Sequence, residues 1–466
     1  MKKMTRALSL LLAVSLLVGS FAFGALALPA SDFDAYWETI RDDNTMISLT
    51  PGADETQMNF RWHSSLKAPY PLIHVSRRPD MSQSQTYLGK IEHSENADQR
   101  VNKVTVNYLE PDTVYYYSYT LEEGFSTSAP FKTPPLGRVK VMFVSDIQCS
   151  GADGDEEGRI YNARLWNRTM DTALANNPDI DFILAAGDNT HKGATEEWIA
   201  SLSPPALRSL PMATVVGNHD MKSTVYNRYV NNPNTFHGTT PNHVGNGYWF
   251  TAGDVVFVML NSNKINMVDH YLLIKEALIT NPNAKWRVAV MHHDIYGTRG
   301  HADIHRHTDA YLLQCGLGTL FDEYGFDIVL TGHDHVYGRS YYMKNNKNVD
   351  NPGYEDGKVT DPKGTIYFTA SAAAGKSRTM EAMADYPWLA YSVFGTETGI
   401  DIYSTLEFTN YECKIYSYTA DDNVQVDSFE ISKTSHDYPT PAPVWLYVIR
   451  MFARIDFKIL FGAMAA

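Results

Sequence analysis

Apolar runs along the middle of the chain alternate with segments whose apolar residues recur at helical intervals. Short, β-branched runs of the kind that form buried strands lie at 139–144, 182–186, 213–216, 288–290 and 328–330. Helical spacing occupies 160–173, 269–280 and 308–324, and the last of these segments stops at Gly325. Strand patterns return at 365–370, 400–408, 413–418 and 425–431. We therefore predict an α/β domain over 138–432, in which two packed sheets carry helices outside both, an α/β/β/α sandwich of four layers.

The preceding region, 34–132, has short alternating stretches and no helical period. Residues 57–62, 101–108 and the Tyr-rich run 114–119 have strand patterns, and a turn at 109–113 separates the last two. About a hundred residues of this kind indicate a small all-β sandwich. The Pro-Pro segment 133–137 is a rigid linker to the next domain. This module either binds a surface or positions substrate, or it is a structural appendage, the interpretation that we favour.

The first 27 residues have the pattern of a secretory signal. Lys2, Lys3 and Arg6 precede an apolar run over 7–23, and Ala25-Leu26-Ala27 offers a cleavage site between small residues. An uncleaved anchor is the alternative. We expect a mature chain that begins near Leu28 and is secreted, so that it is extracellular or associated with the cell surface.

The last residues predict an amphipathic helix over 444–466, after a Pro-rich linker at 438–443. Its basic residues lie four apart on one face, and its apolar residues lie on another. The basic set is Arg450, Arg454 and Lys458, and the apolar set is Trp445, Val448, Ile449, Phe452, Ile455 and Ile459. Such a helix either lies on an anionic membrane surface or docks on the protein itself, and the sequence does not decide between them.

Charge and cysteine content narrow the classes of function. The net charge is −14 and the isoelectric point is near 5.6, so the chain lacks the basic surface that binding to a nucleic-acid duplex requires. Any phosphate-bearing substrate must be bound locally, by metal ions. Three cysteines are too few for a disulfide framework, and Cys149 is interpreted as a small apolar filler rather than a metal ligand.

Each buried run is followed by polar residues that bind metals. These motifs are Ser145-Asp146, Gly187-Asp188, Gly217-Asn218-His219-Asp220, Met291-His292-His293 and Gly332-His333-Asp334-His335. Strand ends of an open α/β sheet meet at one edge, so these side chains should converge. Oxygen donors mixed with imidazoles suit a two-metal site for phosphoryl chemistry.

The chemistry of the donors suggests their roles. Asp188 is the natural bridging carboxylate, Asn218 supplies a neutral amide oxygen, and imidazoles come from His292, His333 and His335. Asp220 would orient His219 or a ligand rather than bind metal. A nearby segment, 374–377, ends like a nucleotide-binding loop, but Ala370 stands where the first glycine of that motif is required.

The set of motifs resembles the calcineurin-like metallophosphoesterase superfamily and, within it, the purple acid phosphatases. The closer resemblance rests on the run from Gly332 to Ser340, on Met291-His292 and on the preceding domain. In that domain, the pattern Leu109-x-Pro111-x-Thr113-x-Tyr115-x-Tyr117 is similar to the signature of fibronectin type III modules. The resemblance covers nearly all of the mature chain up to residue 432.

The resemblance implies a set of site residues around two divalent or mixed-valence ions of iron, zinc or manganese. Asp146, Asp188 and His335 would hold the first ion. The second would be held by Asp188, Asn218, His292 and His333. His219 would touch the substrate phosphate, and His301 stands where related enzymes have a further substrate histidine. Asp220 joins these two histidines as a predicted catalytic residue.

Two positions depart from the family pattern. His191 stands where purple acid phosphatases have the tyrosinate that binds ferric iron, and Gln148 stands where many other superfamily members have a histidine. Either His191 replaces the tyrosinate as a metal ligand, which we favour, or it leaves the first site weaker. Loss of the tyrosinate argues against ferric iron, the purple colour and an acid optimum.

Together these features predict a secreted phosphatase with two metal ions that hydrolyses phosphomonoesters. A metal-activated hydroxide would attack phosphorus in line, and His301 or water would protonate the leaving alcohol. The same metal core supports hydrolysis of phosphodiesters or nucleotides. A different class of function is a surface-binding protein whose metal site is vestigial. The sequence does not indicate an oligomeric state.

Overall fold

A computed structural model describes residues 30–150, 155–239, 244–298, 300, 304, 307–379, 386–393, 399–440 and 442–465. The predicted signal over 1–27 and the predicted catalytic residue His301 lie outside the described residues.

The first part of the described chain is a helix followed by a small β-sandwich. Helix α1 spans Ala30–Ile40. The strands that follow are β1 (Ser48–Pro51), β2 (Met58–Ser65), β3 (Leu72–Ser76), β4 (Gln85–Leu88), β5 (Lys90–His93), β6 (Gln99–Val106), β7 (Val114–Tyr119) and β8 (Ala129–Lys132). They form two sheets with the orders β1-β2-β6-β5 and β4-β3-β7-β8. Phe60, Trp62 and Phe131 are buried between the sheets, which confirms the all-β prediction.

Helix α1 corrects one prediction. Residues 34–40, assigned from the sequence to the β-domain, are helical. Phe33 and Trp37 of α1 are buried in a cluster with Trp166 and Met170 of a later helix, α2 (Glu156–Asn176). The helical stripe of α1 is short, and its apolar partners are more than a hundred residues away, so its pattern alone is a weak signal.

The second part of the chain contains the longer apolar strands. They are β9 (Arg138–Val144), β10 (Phe182–Ala185), β11 (Met212–Thr214), β12 (Tyr248–Ala252), β13 (Val255–Met259), β14 (Trp286–Val290), β15 (Ile328–Thr331), β16 (Tyr337–Ser340), β17 (Met343–Lys344), β18 (Lys347–Asn348), β19 (Lys358–Thr360), β20 (Ile366–Thr369), β21 (Leu389–Val393), β22 (Ile402–Thr409), β23 (Glu412–Thr419) and β24 (Gln425–Ser432). The helices after α2 are α3 (Thr195–Ser201), α4 (Tyr226–Tyr229), α5 (Met267–Thr280), α6 (Thr308–Tyr324), α7 (Val444–Ala453) and α8 (Phe457–Ala465).

Two sheets pack face to face in this part. Their strand orders are β11-β10-β9-β22-β23-β24-β19 and β12-β13-β14-β15-β20-β16-β21. Side chains such as Phe143, Phe182, Phe257 and Val288 fill the space between them. A second apolar cluster joins the first sheet to α2 and α3, and a third joins the second sheet to α5 and α6. The four-layer α/β/β/α prediction is confirmed.

The small sandwich contacts the larger part through polar bonds. Tyr117 Oη donates to the carbonyl oxygen of Arg208 over 2.8 Å, and Lys103 Nζ donates to the carbonyl oxygen of Asn227 over 2.8 Å. Arg228 Nη1 lies 3.1 Å from Glu95 Oε2. These contacts support the interpretation of this module as a structural appendage.

The C-terminal segment forms two helices, with a break between α7 and α8, rather than one. Tyr447 is buried, and Arg454 Nη2 lies 2.7 Å from Asp322 Oδ2 at the end of α6. Arg450 forms an ion pair with Glu323. Both arginines therefore pair with the protein's own carboxylates, and α7 matches the docked alternative.

The outward face of this segment is apolar. Trp445, Ile449 and Phe452 of α7 are exposed, as are Phe457 and Phe461 of α8. Within the part of the chain that is described, none of the helices combines the length and the apolar character needed to cross a bilayer.

Candidate metal centre

The predicted metal-binding residues lie at strand ends of the two sheets. Asp146 follows β9, Asp188 follows β10, and His292 follows β14. Strands β9 and β10 are parallel neighbours, as are β14 and β15, so their carboxyl ends meet at one edge. The backbone is left-handed at Asp146 (φ +52°), Asp188 (φ +50°) and His333 (φ +76°). Such conformations cost energy in non-glycine residues and concentrate at functional sites.

Two buried carboxylates and facing imidazoles form the middle of the site. His335 Nε2 lies 3.2 Å from Asp146 Oδ1, and His292 Nε2 lies 3.4 Å from Asp188 Oδ2. Ligand atoms of Asp146, Asp188 and His292 all lie within 4.8 Å of one another. These distances bring the three side chains close enough together to act as metal ligands, and their donor types suit hard or borderline cations.

Backbone carbonyls orient the imidazoles. His292 Nδ1 lies 2.9 Å from the carbonyl oxygen of Ala186, and His335 Nδ1 lies 2.7 Å from that of Lys376. A proton on each Nδ1 donates to that oxygen and leaves the Nε2 lone pair directed into the site, as in metal-binding histidines. Asn218 Oδ1 lies 3.0 Å from His292 Nε2, and His333 Nδ1 lies 3.2 Å from the same atom.

The electrostatics favour a cation. Burial would lower the pKa of His292, but the Asp188 and Asp146 carboxylates raise it to about 9. Burial would raise the pKa of Asp188, yet the charges of His292 and His219 lower it. A cation bound between these groups would offset the negative charge of the buried carboxylates.

Close packing makes glycine necessary beside the ligands. A Cβ atom on Gly217 would lie 2.0 Å from Asp188 Oδ1, and one on Gly332 would lie 1.9 Å from Ser145 Oγ. The motif glycines therefore serve the close approach of neighbouring loops.

The Asp220 carboxylate connects two loops of the site. Its carboxylate is buried, with 1% of the residue exposed, and accepts bonds from Gly217 N (3.0 Å), Thr190 N (3.0 Å) and Asn189 Nδ2 (3.1 Å). Burial and the nearby charge of Asp188 raise its pKa to about 6. These bonds tie the loop that carries Asp188 to the loop that carries Asn218, as an orienting role for Asp220 requires; its predicted catalytic role stays a prediction.

His219 lies beside the Asp188 carboxylate and against His191. Its backbone N–H donates to Asp188 Oδ1 over 2.8 Å, and its ring lies 4.6 Å from that of His191, centroid to centroid. The Nδ1 atom of His191 is buried without a hydrogen bond. Burial and then the charge of Lys376 lower the pKa of His191 to about 4. Its imidazole is therefore neutral, the form that binds metals.

Gln148 is part of the site, although the sequence indicated only that a family histidine was missing there. Its Nε2 atom donates to Asp188 Oδ2 over 2.7 Å. The signal that points to it is its place two residues after Asp146. His293, in contrast, lies with Nδ1 2.9 Å from Ser262 Oγ, as a neighbour of the ligands.

A cavity of about 580 Å³ opens on the site. It brings together most of the predicted side chains with several unpredicted ones. Its lining includes Gln148, Tyr161, Asp188, His191, Asn218, His219, His333, His335, Gly375, Lys376, Ser377 and Arg378.

Comparison with known families agrees with this arrangement. Residues 139–337 match the calcineurin-like phosphoesterase family, and residues 45–133 match the purple acid phosphatase N-terminal domain. The chain therefore has a region similar to the purple acid phosphatase N-terminal domain, followed by a region similar to the calcineurin-like phosphoesterase family. Every residue from Asp146 to His335 discussed above falls within the second region.

Individual relatives are distant. An uncharacterised protein of Mycobacterium tuberculosis is 23% identical over 335 residues, which are 62% of this chain and 60% of that protein. Purple acid phosphatase 23 of Arabidopsis thaliana is 22% identical over 378 residues, 72% of this chain and 74% of that protein. The chain thus spans less than two thirds of the length of the mycobacterial relative.

A solved structure has the same fold. The purple acid phosphatase from yellow lupin (Lupinus luteus) seeds superposes with a TM-score of 0.65 at 16% identity, over 83% of this chain and 74% of that chain. At this identity the likeness establishes a purple acid phosphatase-like fold.

Proposed function

We propose that this protein is a metal-dependent phosphoester hydrolase and that its substrates are phosphomonoesters. The observation that carries the proposal is the convergence of Asp146, Asp188 and His292, whose ligand atoms lie within 4.8 Å of one another. They are buried beside a cavity that Asp188, His219 and His333 line. Such a set of donors suits hard or borderline cations that act on phosphoryl groups.

The side chains fit two ions. Asp146 Oδ1 is buried without a hydrogen bond, and His335 Nε2 faces it. Asp188 Oδ2 lies 3.4 Å from His292 Nε2, and ligand atoms of Asp146 and Asp188 lie within 4.8 Å of each other, which supports Asp188 as the bridge. We assign the first ion to Asp146, Asp188 and His335, and the second to Asp188, Asn218, His292 and His333. His191 is proposed as the additional ligand of the first ion. When bound, the ions would activate a water nucleophile and neutralise charge on the phosphoryl oxygens.

His219 would bind the phosphate. Lys222 Nζ and the carbonyl oxygen of His191 both lie 2.8 Å from His219 Nδ1. We propose that the tautomer with its proton on Nε2, in which Nδ1 accepts from Lys222, binds the phosphate. His219 Nε2 lies 4.0 Å from Asp188 Oδ2, so this atom faces the centre. From there it can donate to a phosphoryl oxygen and stabilise the charge that develops during attack. We assign protonation of the leaving alcohol to His301 or water.

Turnover of p-nitrophenyl phosphate, with and without a chelator, tests the proposal. We expect turnover that the chelator abolishes, with about two metal ions per chain by elemental mass spectrometry. Asp188→Ala should abolish turnover and leave the circular dichroism spectrum unchanged, whereas the exposed Asp350→Ala should retain turnover. Faster turnover of bis(p-nitrophenyl) phosphate would change the substrate class to phosphodiesters. Absence of turnover with any divalent metal would overturn the proposal in favour of a surface-binding protein.

We also propose export and contact with a membrane surface. Residues 1–27 support export. The exposed apolar side chains of α7 and α8 support surface contact, through Trp445, Phe452 and Phe461. Fractionation with N-terminal sequencing tests the first. Sedimentation with phospholipid vesicles tests the second, and protein that stays in the supernatant would refute it.

A further inference from the structure

Two cations stand on the wall of the cavity that opens on the metal centre. Lys376 and Arg378 line it together with Asp188 and His219, in a chain whose net charge is −14. Lys376 is half-buried and Arg378 is exposed. Among the described residues, neither side chain forms an ion pair or a hydrogen bond. Two cations that have no such partner within the described ranges, at the mouth of this cavity, can bind an anion.

Backbone hydrogen bonds connect the segment that carries these cations to His335, a proposed metal ligand. The carbonyl oxygen of Lys376 lies 2.7 Å from His335 Nδ1, and Arg378 N donates to the carbonyl oxygen of His335 over 2.9 Å. Asp401 holds the same segment, because its carboxylate accepts bonds from Gly375 N and Ser377 Oγ, each over 2.6 Å. The backbone between the cations therefore keeps a constant position relative to the metal centre.

The charge of Lys376 acts within the site. After burial, it is the largest cause of the lowered pKa of His191. The Asp188 carboxylate is in turn among the charges that raise the pKa of Lys376, against the larger effect of burial. Lys376 is thus near both a proposed ligand and the bridging carboxylate.

The cavity continues past Arg378. A second cavity of about 830 Å³ shares Tyr161, Gly375, Ser377 and Arg378 with the first, so these residues stand between the two. Tyr161 is 54% exposed there. A phosphoryl group at the metal centre would leave room for a leaving group that extends over Tyr161 toward Arg378.

We propose that Lys376 and Arg378 form an anion subsite for a second negatively charged group, a phosphate or a carboxylate, on the leaving group of the substrate. The inference rests on the proposed function for the position of the scissile phosphate. Guanidinium and ammonium groups bind such anions through charge-assisted hydrogen bonds. The preferred substrates are then phosphomonoesters that are anionic at both ends.

Calorimetric titration of the metal-loaded protein tests the subsite. The probes are phenylphosphonate, 4-carboxyphenylphosphonate and 1,4-phenylenebisphosphonate, which share one ring and differ in the second group. We expect the two probes with a second anion to bind about fivefold more tightly than phenylphosphonate, as for a partly exposed ion pair. Comparison of the carboxylate and phosphonate probes identifies which anion the subsite prefers. This preference should decrease as salt is added.

In the double variant Lys376→Gln/Arg378→Gln, the probes with a second anion should bind about as tightly as phenylphosphonate, so that the ratio of these affinities falls to about one. The control Lys347→Gln removes a positive charge from an exposed hairpin and should keep the wild-type ratio of affinities. A ratio of one in the wild type, an unchanged ratio in the double variant, or absence of binding would overturn the subsite. Turnover of p-nitrophenyl phosphate on the same samples separates the two proposals: turnover without a preference rejects the subsite alone, and a preference without turnover rejects the proposed function alone.

Discussion

Gly217 controls how closely the loop that carries Asn218 approaches the carboxylate of Asp188, the proposed bridge. In Gly217→Ala the new Cβ atom would lie 2.0 Å from Asp188 Oδ1 and 2.3 Å from Asp188 N. The Asp188 carboxylate has little freedom to move away, because Gln148 Nε2 and His219 N both donate to it. Gly217 is not among the residues with left-handed backbone, so the backbone conformation at this position does not itself require glycine. The perturbation is therefore confined to the metal centre.

The size of the effect follows from the overlap. Ordinary van der Waals contact begins at 3.4 Å, so Asp188 or the Gly217 loop must move by about 1.4 Å. Misplacement of a catalytic group by about 1 Å costs on the order of 100-fold in rate. That factor corresponds to about 2.7 kcal/mol of transition-state stabilisation. We expect the kcat/KM of Gly217→Ala to fall by about this factor.

The assay combines three measurements on one preparation: kcat/KM for p-nitrophenyl phosphate, metal content, and thermal unfolding by circular dichroism. The matched control is Gly318→Ala in helix α6, where the new Cβ would meet its first neighbours at 3.7 Å. Alanine is favoured over glycine inside a helix by about 1 kcal/mol, so the control should keep activity and stability. Wild-type kcat/KM and metal content in Gly217→Ala would refute the assignment of Asp188 as the bridge.

Three further predictions concern charge and metal binding. Burial raises the pKa of Asp181 to about 6, against a backbone bond from Lys140 that lowers it. Since the folded state then binds this proton more tightly than the unfolded chain, stability is lost as the pH rises from about 4 to 6. The free energy of unfolding of Asp181→Asn, measured in urea, should exceed that of the wild type by about 2–3 kcal/mol at pH 8 and should show no such gain near pH 4. An equal difference at both pH values would contradict the reasoning. Asp427→Asn leaves the buried Arg339 unpaired and should cost about 3 kcal/mol, read from the urea midpoint, while an unchanged midpoint would show that the pair contributes little. His191→Ala should reduce metal content from about two ions per chain to about one; two retained ions would assign His191 to the substrate side of the cavity, with His219.

The layers of the fold were accessible from the sequence because local patterns decide them. Helix α6 was predicted over the residues it occupies, Thr308–Tyr324, because Gly325 ends it in a left-handed conformation (φ +61°). The central strands were predicted from their continuous apolar runs, which arise because both faces of those strands are buried. Helix α1 was missed because Phe33 and Trp37 gain their stability from contact with α2, which a local pattern does not contain.

At the metal centre, the identity of the donors was predictable and their relations were not. Asp146, Asp188 and His292 follow buried strands in a recognisable order. The bond from Gln148 to Asp188 depends on how two loops meet. The place of Lys376 depends on its contact with His335, which is 41 residues away along the chain. Each donor can be identified within one local segment of the sequence, whereas each of these contacts joins two segments that are far apart in the chain.

The sequence by itself determined most of the secondary structure, the order of the layers and the residue types at the strand ends. These depend on periodicity and on turn chemistry within a few residues. The tertiary structure decided the 4.8 Å convergence of the three ligands and the direction in which α7 faces. Arg450 and Arg454 pair with Glu323 and Asp322 at the end of α6, and a helical pattern by itself does not record which partner its charged face meets.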